Sequence, residues 1–413
     1  MTARERIQHL LKHEPVDHLP NGLGGVECTG MHVLAYQRLK QVLGVEDRAA
    51  RVGTFMLNAV FEPSVLQAME GDIILLGSRM CPSRYWGPEA QSEWKDLPIW
   101  DTTIQVAQAW QFRQDADGAW WWNDWAKCPP GGIYFDGVPA RPEDRPRLAD
   151  AQSPSPDDYQ PAMELPETML TRLQEDARFL YETTDYAIAC GETINSLQLE
   201  PGGSAAWMMR MIEEPEACHA FLDKAVEAGL AHLRQLDQAV GKYCELLHIA
   251  HDLGDRRGVT MGPDLWRAIY KPHYKRLFTG WHEITRMKVC LHSCGSIAEI
   301  LGDLIECGLD IINPVQTTAQ GMEAAALKAR FGNRVIFYGG SLDAVACPPG
   351  TPDEVVFETV KRNIEELSRG GGYLLAGVHN LPGDTPASHL QALLEAWRHV
   401  RTQPALIAPA DTR

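Results

Sequence analysis

The chain has 413 residues, 45% of them hydrophobic and 23% charged, and a formal charge of −17. That length and balance exclude a disordered or fibrous chain and leave one large α/β domain or two domains. The negative charge, with no Lys/Arg run set against it, excludes nucleic acid as the expected partner. The opening stretch MTARERIQHLLKHEP is charged and helical in period, and no run reaches the roughly 18 uncharged apolar residues of a membrane span, so a soluble, cytoplasmic protein is expected. The ten cysteines are scattered without a CxxC pair and read mostly as buried thiols.

In chain order, HVLAYQRLKQVLG reads as a helix, GDIILLG and DYAIACG as buried strands, and EACHAFLDKAVEAGLAHLRQLDQAV as a long helix. Between the two strands, DGAWWWNDWAKCPPGGIYFDG reads as an antiparallel excursion, and 139–166 as a Pro/Asp-rich surface segment. Residues 111–166 are therefore expected as an insertion within a single domain spanning 1–413. Its tryptophans 120, 121, 122 and 125 read either as the core of a hairpin or as an aromatic binding wall, and this segment suits a homodimer contact.

From about residue 241, β-rich runs alternate with amphipathic helices. YCELLHIAHDLGD precedes the helix 263–284; KVCLHSCG precedes SIAEILGDLIECG; LDIINPVQ precedes GMEAAALKARFG. RVIFYGGSL and GYLLAGVHN are each followed by a further helix. Repeated βα units of this length predict a parallel sheet with helices outside, as a (β/α) barrel or an open doubly wound sheet.

In KVCLHSCG, His292 and Cys294 are two residues apart and so face the same way if the strand extends that far. Both stand at a strand's C-terminal end, where (β/α) barrels place their chemistry. Alone, the pair has an ordinary reading: a strand-end histidine bonded to backbone beside a buried thiol. A third donor, His379 in GYLLAGVHNLPGDTP, ends the last expected strand. Two imidazoles and one thiolate with an open fourth position have the composition of a catalytic zinc site.

Other candidates surround this mouth. His251 and Asp252 end the strand in LLHIAHDLGD, with Asp252 a candidate fourth ligand, orienting partner or general base. Asn313, Gln316 and Asp343 are candidate substrate contacts or loop-stabilising side chains, and Glu27 and His32 can close the pocket from the N-terminal side. Thr29 reads as a helix cap. The chain contains no GxGxxG, Walker-type or GxSxG pattern.

The stretches LHSCGSI, GLDIINPVQ, FYGGSLD, PPGTPDEV and AGVHNLPGDTP, with the earlier RERIQHLLKHEPVDHLP and TGMHVLAYQRL, resemble the uroporphyrinogen decarboxylase superfamily, in particular its corrinoid-dependent methyltransferase branch. The resemblance is dense in the C-terminal half and scattered before it. It implies an α/β fold of (β/α)8 TIM-barrel type. True decarboxylases carry a PxWxMRQAGR-like stretch where this chain has HLPNGLGGVECTGMHVLAY, which argues against porphyrin decarboxylation. The thiol methyltransferases of the superfamily hold zinc through His-x-Cys and a later Cys; the pair matches His292 and Cys294, but the third position here is His379, a position where the decarboxylases also have a histidine.

The expected function is a zinc-dependent methyltransferase acting between a small methylated compound or thiol and the cobalamin of a separate corrinoid protein, since no DxHxxG-like segment is present. The alternatives are a metal-independent decarboxylase or lyase using Asp252 and His379, and a non-catalytic ligand-binding barrel.

Overall fold

The computed structural model describes residues 1–45, 47–54, 56–77, 81–123, 125–137, 159–191, 197–201 and 204–408. Most of the Pro/Asp-rich segment expected at 139–166 lies outside these residues.

Seven strands form one parallel sheet whose spatial order follows the chain: β1 (Ile73–Leu75), β2 (Ala187–Cys190), β3 (Leu246–Ala250), β4 (Lys288–His292), β5 (Ile311–Asn313), β6 (Ile336–Tyr338) and β7 (Tyr373–Leu374). Nearly every strand residue is buried, which explains continuous apolar runs such as IIL and AIAC. Alternation sorts them into two sets. Ile73, Ala187, Ala189, Leu246, Cys290, Ile311, Ile336, Tyr338 and Leu374 meet in one compact cluster, to which all seven strands contribute. Their sequence neighbours Ile74, Ile188, Leu247, Val289, Ile312, Phe337 and Tyr373 join a second, larger cluster with the helices. The strand faces can converge on one cluster only if the sheet curls, with helices such as Pro215–Val240, Asp353–Ser368 and Ala387–Val400 on its convex side.

The resemblance implies eight parallel strands, and among the described residues the sheet has seven. Residues 20–22 nevertheless hydrogen-bond to residues that flank both outer strands. Gly22 N donates to Leu375 O at 2.9 Å and Leu375 N to Pro20 O at 3.0 Å, while Asp72 N donates to Asn21 O at 2.7 Å. A segment reading LPNG offers one bridge and no periodic run, so pattern analysis sees a turn.

Two other expectations shift. The helix expected over 263–284 divides into Pro263–Ile269 and Lys271–Ile284, because Pro272 has no N–H to continue the first helix. The antiparallel region begins at Trp94, upstream of residue 111: Trp94–Ile99 pairs with Thr102–Ala107 before the strands Phe112–Gln114, Trp120–Trp122, Ala126–Cys128 and Asp136–Gly137. Trp100 and Asp101 turn that first hairpin with φ of 54° and 55°, and without an Asn-Gly signal the turn is invisible in the sequence. Trp122 packs among Trp110, Phe112 and Phe135 as a hairpin core, while Trp125 is exposed.

The 20–22 segment is held by charge as well as backbone. Buried Asp72 accepts from Arg6 Nη1 at 2.5 Å and from Asn21 N at 2.7 Å, and Asn21 Nδ2 donates to Met69 O at 2.9 Å. Asp72→Ala strands a buried guanidinium and a buried amide. It is expected to lower unfolding free energy by about 3 kcal/mol in urea titrations; an unchanged midpoint would show that Asp17, the second partner of Arg6, suffices alone.

Candidate functional site

The site is assembled where β3, β4 and β5 end. His292 is the last residue of β4 and pairs in register with Ala250 and Asn313. Beyond it, Ser293 N donates to Asn313 O at 2.7 Å, and Ser293 Oγ accepts from Leu253 N at 3.0 Å. These bonds keep the chain extended for two more residues, so Cys294 emerges on the same side as His292. Gly295 then turns the chain with φ +79°; a Cβ there would lie 2.4 Å from the backbone of Gly254, so only glycine fits.

His292, Cys294 and His379 each present a donor atom, all within 4.8 Å of one another. Cys294 Sγ is 3.3 Å from His292 Nε2, and the rings of His292 and His379 meet edge to face at 5.2 Å. His292 Nδ1 is 3.0 Å from Asn313 Oδ1, while Asn313 Nδ2 donates to Tyr338 O at 3.0 Å. With the amide nitrogen committed to a carbonyl, Asn313 has only its oxygen to offer. The proton of His292 therefore sits on Nδ1, and Nε2 turns its lone pair toward Cys294. Asp252 Oδ1 accepts from Cys294 N at 2.9 Å and lies 3.6 Å from His292 Nε2.

Burial dominates the protonation of these groups. It pushes His292 down to about 4, assisted by His379 and His248, and it also lowers His379. Both imidazoles are thus neutral, the form that ligates a metal. The Cys294 thiol is pushed up to about 12 by burial and by the Asp252 carboxylate. The donor set suits a zinc ion: with bonds of about 2.0 Å to nitrogen and 2.3 Å to sulfur, tetrahedral ligands stand about 3.5 Å apart, and the observed sulfur–nitrogen distance is 3.3 Å.

The remaining sequence candidates divide. Asp252 stands at the cluster, half exposed. His251 points the opposite way, buried behind β3 with Nδ1 2.7 Å from Tyr274 Oη and its ring against Tyr270, as strand alternation requires. Asn313 contacts His292 as described. Gln316 Oε1 accepts from Gly295 N at 2.9 Å, and Asp343 accepts from Thr318 Oγ1 at 2.7 Å and Val345 N at 2.8 Å, so both stabilise mouth loops. His32 caps the helix Val33–Leu43, its Nδ1 accepting from Leu34 N at 3.2 Å and its Nε2 donating to Ile133 O at 2.9 Å. That is the capping role expected of Thr29, whose hydroxyl instead closes the turn at Val26.

Glu27 is buried, its Oε2 3.2 Å from His248 Nδ1. His248 and Cys28 are the residues sequence reasoning missed, and with His292 they form a second group of donors within 4.8 Å. The signal was available for His248: in LLHIAHD, residues 248, 250 and 252 share a face, so accepting Asp252 as inward-facing selects His248 over His251.

The curled parallel sheet defines an α/β protein with a candidate site at the C-terminal ends of its strands. Residues 199–400, which include β3 to β7 and the whole donor cluster except Cys28, match the uroporphyrinogen decarboxylase (URO-D) family model. The fold is similar to that of a methyltransferase from Methanosarcina mazei, with a TM-score of 0.54 and 17% identity over 97% of this chain and 99% of that one. No curated protein matches the sequence. Among the described residues no helix is long and apolar enough to cross a membrane.

Neutral buried histidines make stability depend on pH. Burial pushes His251 down to about 3 and His32 to about 4, below the usual value near 6.5. The unfolded chain takes up protons that the folded chain refuses, so this contribution is complete above about pH 6.5 and is lost as pH falls toward 4. Denaturant titrations are expected to show His251→Gln with a pH slope shallower by up to about 1.4 kcal/mol per unit between pH 6 and 4; parallel slopes would refute the assignment.

Proposed function

We propose that the protein is a methyltransferase in which His292, Cys294 and His379 hold zinc, moving a methyl group between a small methylated ether, thioether or thiol and the cobalamin of a separate corrinoid protein. The observation that carries this reading is the convergence of two neutral imidazoles and one thiol, from the end of β4 and the loop after β7, on one point at the mouth. The match of residues 199–400 to the URO-D family model and a fold similar to that of a methyltransferase support it. We also infer that the sheet closes into a (β/α)8 barrel with residues 20–22 in the eighth place, because that segment bonds to residues that flank both outer strands.

Zinc bound there supplies a Lewis acid that favours the thiolate of a bound thiol or polarises an ether oxygen or thioether sulfur. The protein's own groups do the rest. Asn313 keeps the Nδ1 proton on His292, so that Nε2 faces the cluster as a lone pair. Cys294 keeps its proton until a cation displaces it. Asp252 is the exposed carboxylate beside the cluster, placed to accept the proton of an incoming thiol.

Purified wild-type protein is expected to contain about one zinc per chain, held less tightly by Cys294→Ser and by His379→Ala in competition with a chelator. Methyl transfer from methylcobalamin to a panel of thiols should fall in step. Protein that stays metal-free after zinc-supplemented expression, or turnover of a carboxylated substrate that survives chelation, would overturn the reading in favour of a metal-independent lyase. A milder defect is expected from Asn313→Ala, which should leave the stoichiometry intact and weaken zinc affinity about 10–100-fold in competition with a chelator.

A further inference from the structure

His248 lies one pair deeper in the sheet than His292: Ala250 is the register partner of His292, and His248 that of Cys290. Its side chain is only 1% exposed, and its Nε2 meets no hydrogen-bond partner among the described residues. Leaving a buried imidazole nitrogen unsatisfied is unfavourable unless something occupies the space before it. On the other side of the ring, Nδ1 lies 3.2 Å from Glu27 Oε2, within ion-pair distance but outside hydrogen-bond geometry. A carboxylate on one nitrogen of an imidazole, with the other nitrogen open, is the arrangement that orients histidines on metals. Cys28, next to Glu27 in the chain, brings a third donor: the ligand atoms of Cys28, His248 and His292 lie within 4.8 Å of one another.

The geometry points to a second metal position in this protein, formed by Cys28, His248 and His292 and lying deeper than the one at the mouth. It takes a thiophilic divalent cation. One thiolate and the Glu27 carboxylate balance the two positive charges, as a fully buried ion requires. The two positions share His292, whose Nδ1 is occupied by Asn313, so only Nε2 is available and the positions exclude each other. A metal therefore has an open position with Cys294 and His379, which are half-buried, and a closed one with Cys28 and His248, which are buried. The inference does not rest on the methyltransferase reading.

The test uses Co²⁺ added to the metal-free full-length protein, because thiolate-to-cobalt absorption reports whether a cysteine is bound. Wild type should saturate at one equivalent. Cys294→Ser should still bind one cobalt with a thiolate band, through Cys28. Adding Cys28→Ser should abolish that band, and adding His248→Gln to Cys294→Ser should weaken binding by more than about 10-fold, with circular dichroism and melting curves confirming folded protein. The inference is overturned if Cys294→Ser shows no thiolate band, if the band survives Cys28→Ser, or if wild type binds two cobalt ions at once. Loss of the band in Cys294→Ser would leave the position at the mouth standing. A band kept there and lost on adding Cys28→Ser would support the deep position whatever the mouth does.

Discussion

The hydrogen bond between His292 Nδ1 and Asn313 Oδ1 ties β4 to β5 at their C-terminal ends, and the donor set depends on it. Asn313 can play this part only because its amide nitrogen is held by Tyr338 O on β6. Three neighbouring strands thus set the tautomer of one imidazole. Without that constraint the ring of His292 could present either nitrogen, and Cys294 would face an N–H rather than a lone pair.

Burial then gives the site its chemical state. Desolvation disfavours charge on His292, His379 and Cys294, keeping these two imidazoles neutral and the thiol protonated. A divalent cation, if bound, would reverse the balance at one point, because it would replace the thiol proton and stabilise the thiolate. Carboxylates stand beside the imidazoles at two levels, Asp252 near His292 at the exposed mouth and Glu27 near His248 in the interior. The same types of donor group therefore occur twice along the sheet's inner face, once open to solvent and once closed.

The scaffold explains how so polar a site is held in an apolar interior. Side chains from all seven strands close over one another below it, and the Arg6–Asp72–Asn21 network secures residues 20–22 against the first and last strands. That segment leads within a few residues to Glu27 and Cys28, so the bonds that join the sheet edges also place the two N-terminal groups inside.

Much of this was legible from the chain alone. Regular βα alternation from residue 241 onward announces a parallel sheet, since a buried strand needs a continuous apolar run and each crossover needs an amphipathic helix. Two-residue periodicity pairs His292 with Cys294 whatever the rest of the fold does. Other features depend on contacts between distant segments. The hairpin at Trp100 and Asp101 has no turn signature, and residues 20–22 make strand-like bonds without a strand-like sequence. Likewise, Asn313 and Gln316 looked free to meet a substrate until their partners, His292 and Gly295, were in place. Local pattern determines which residues share a face of an element; only tertiary structure decides what lies opposite that face, because hydrogen bonds and burial arise between segments hundreds of residues apart. Cys28 and His248, 220 residues from each other in sequence, meet for that reason alone.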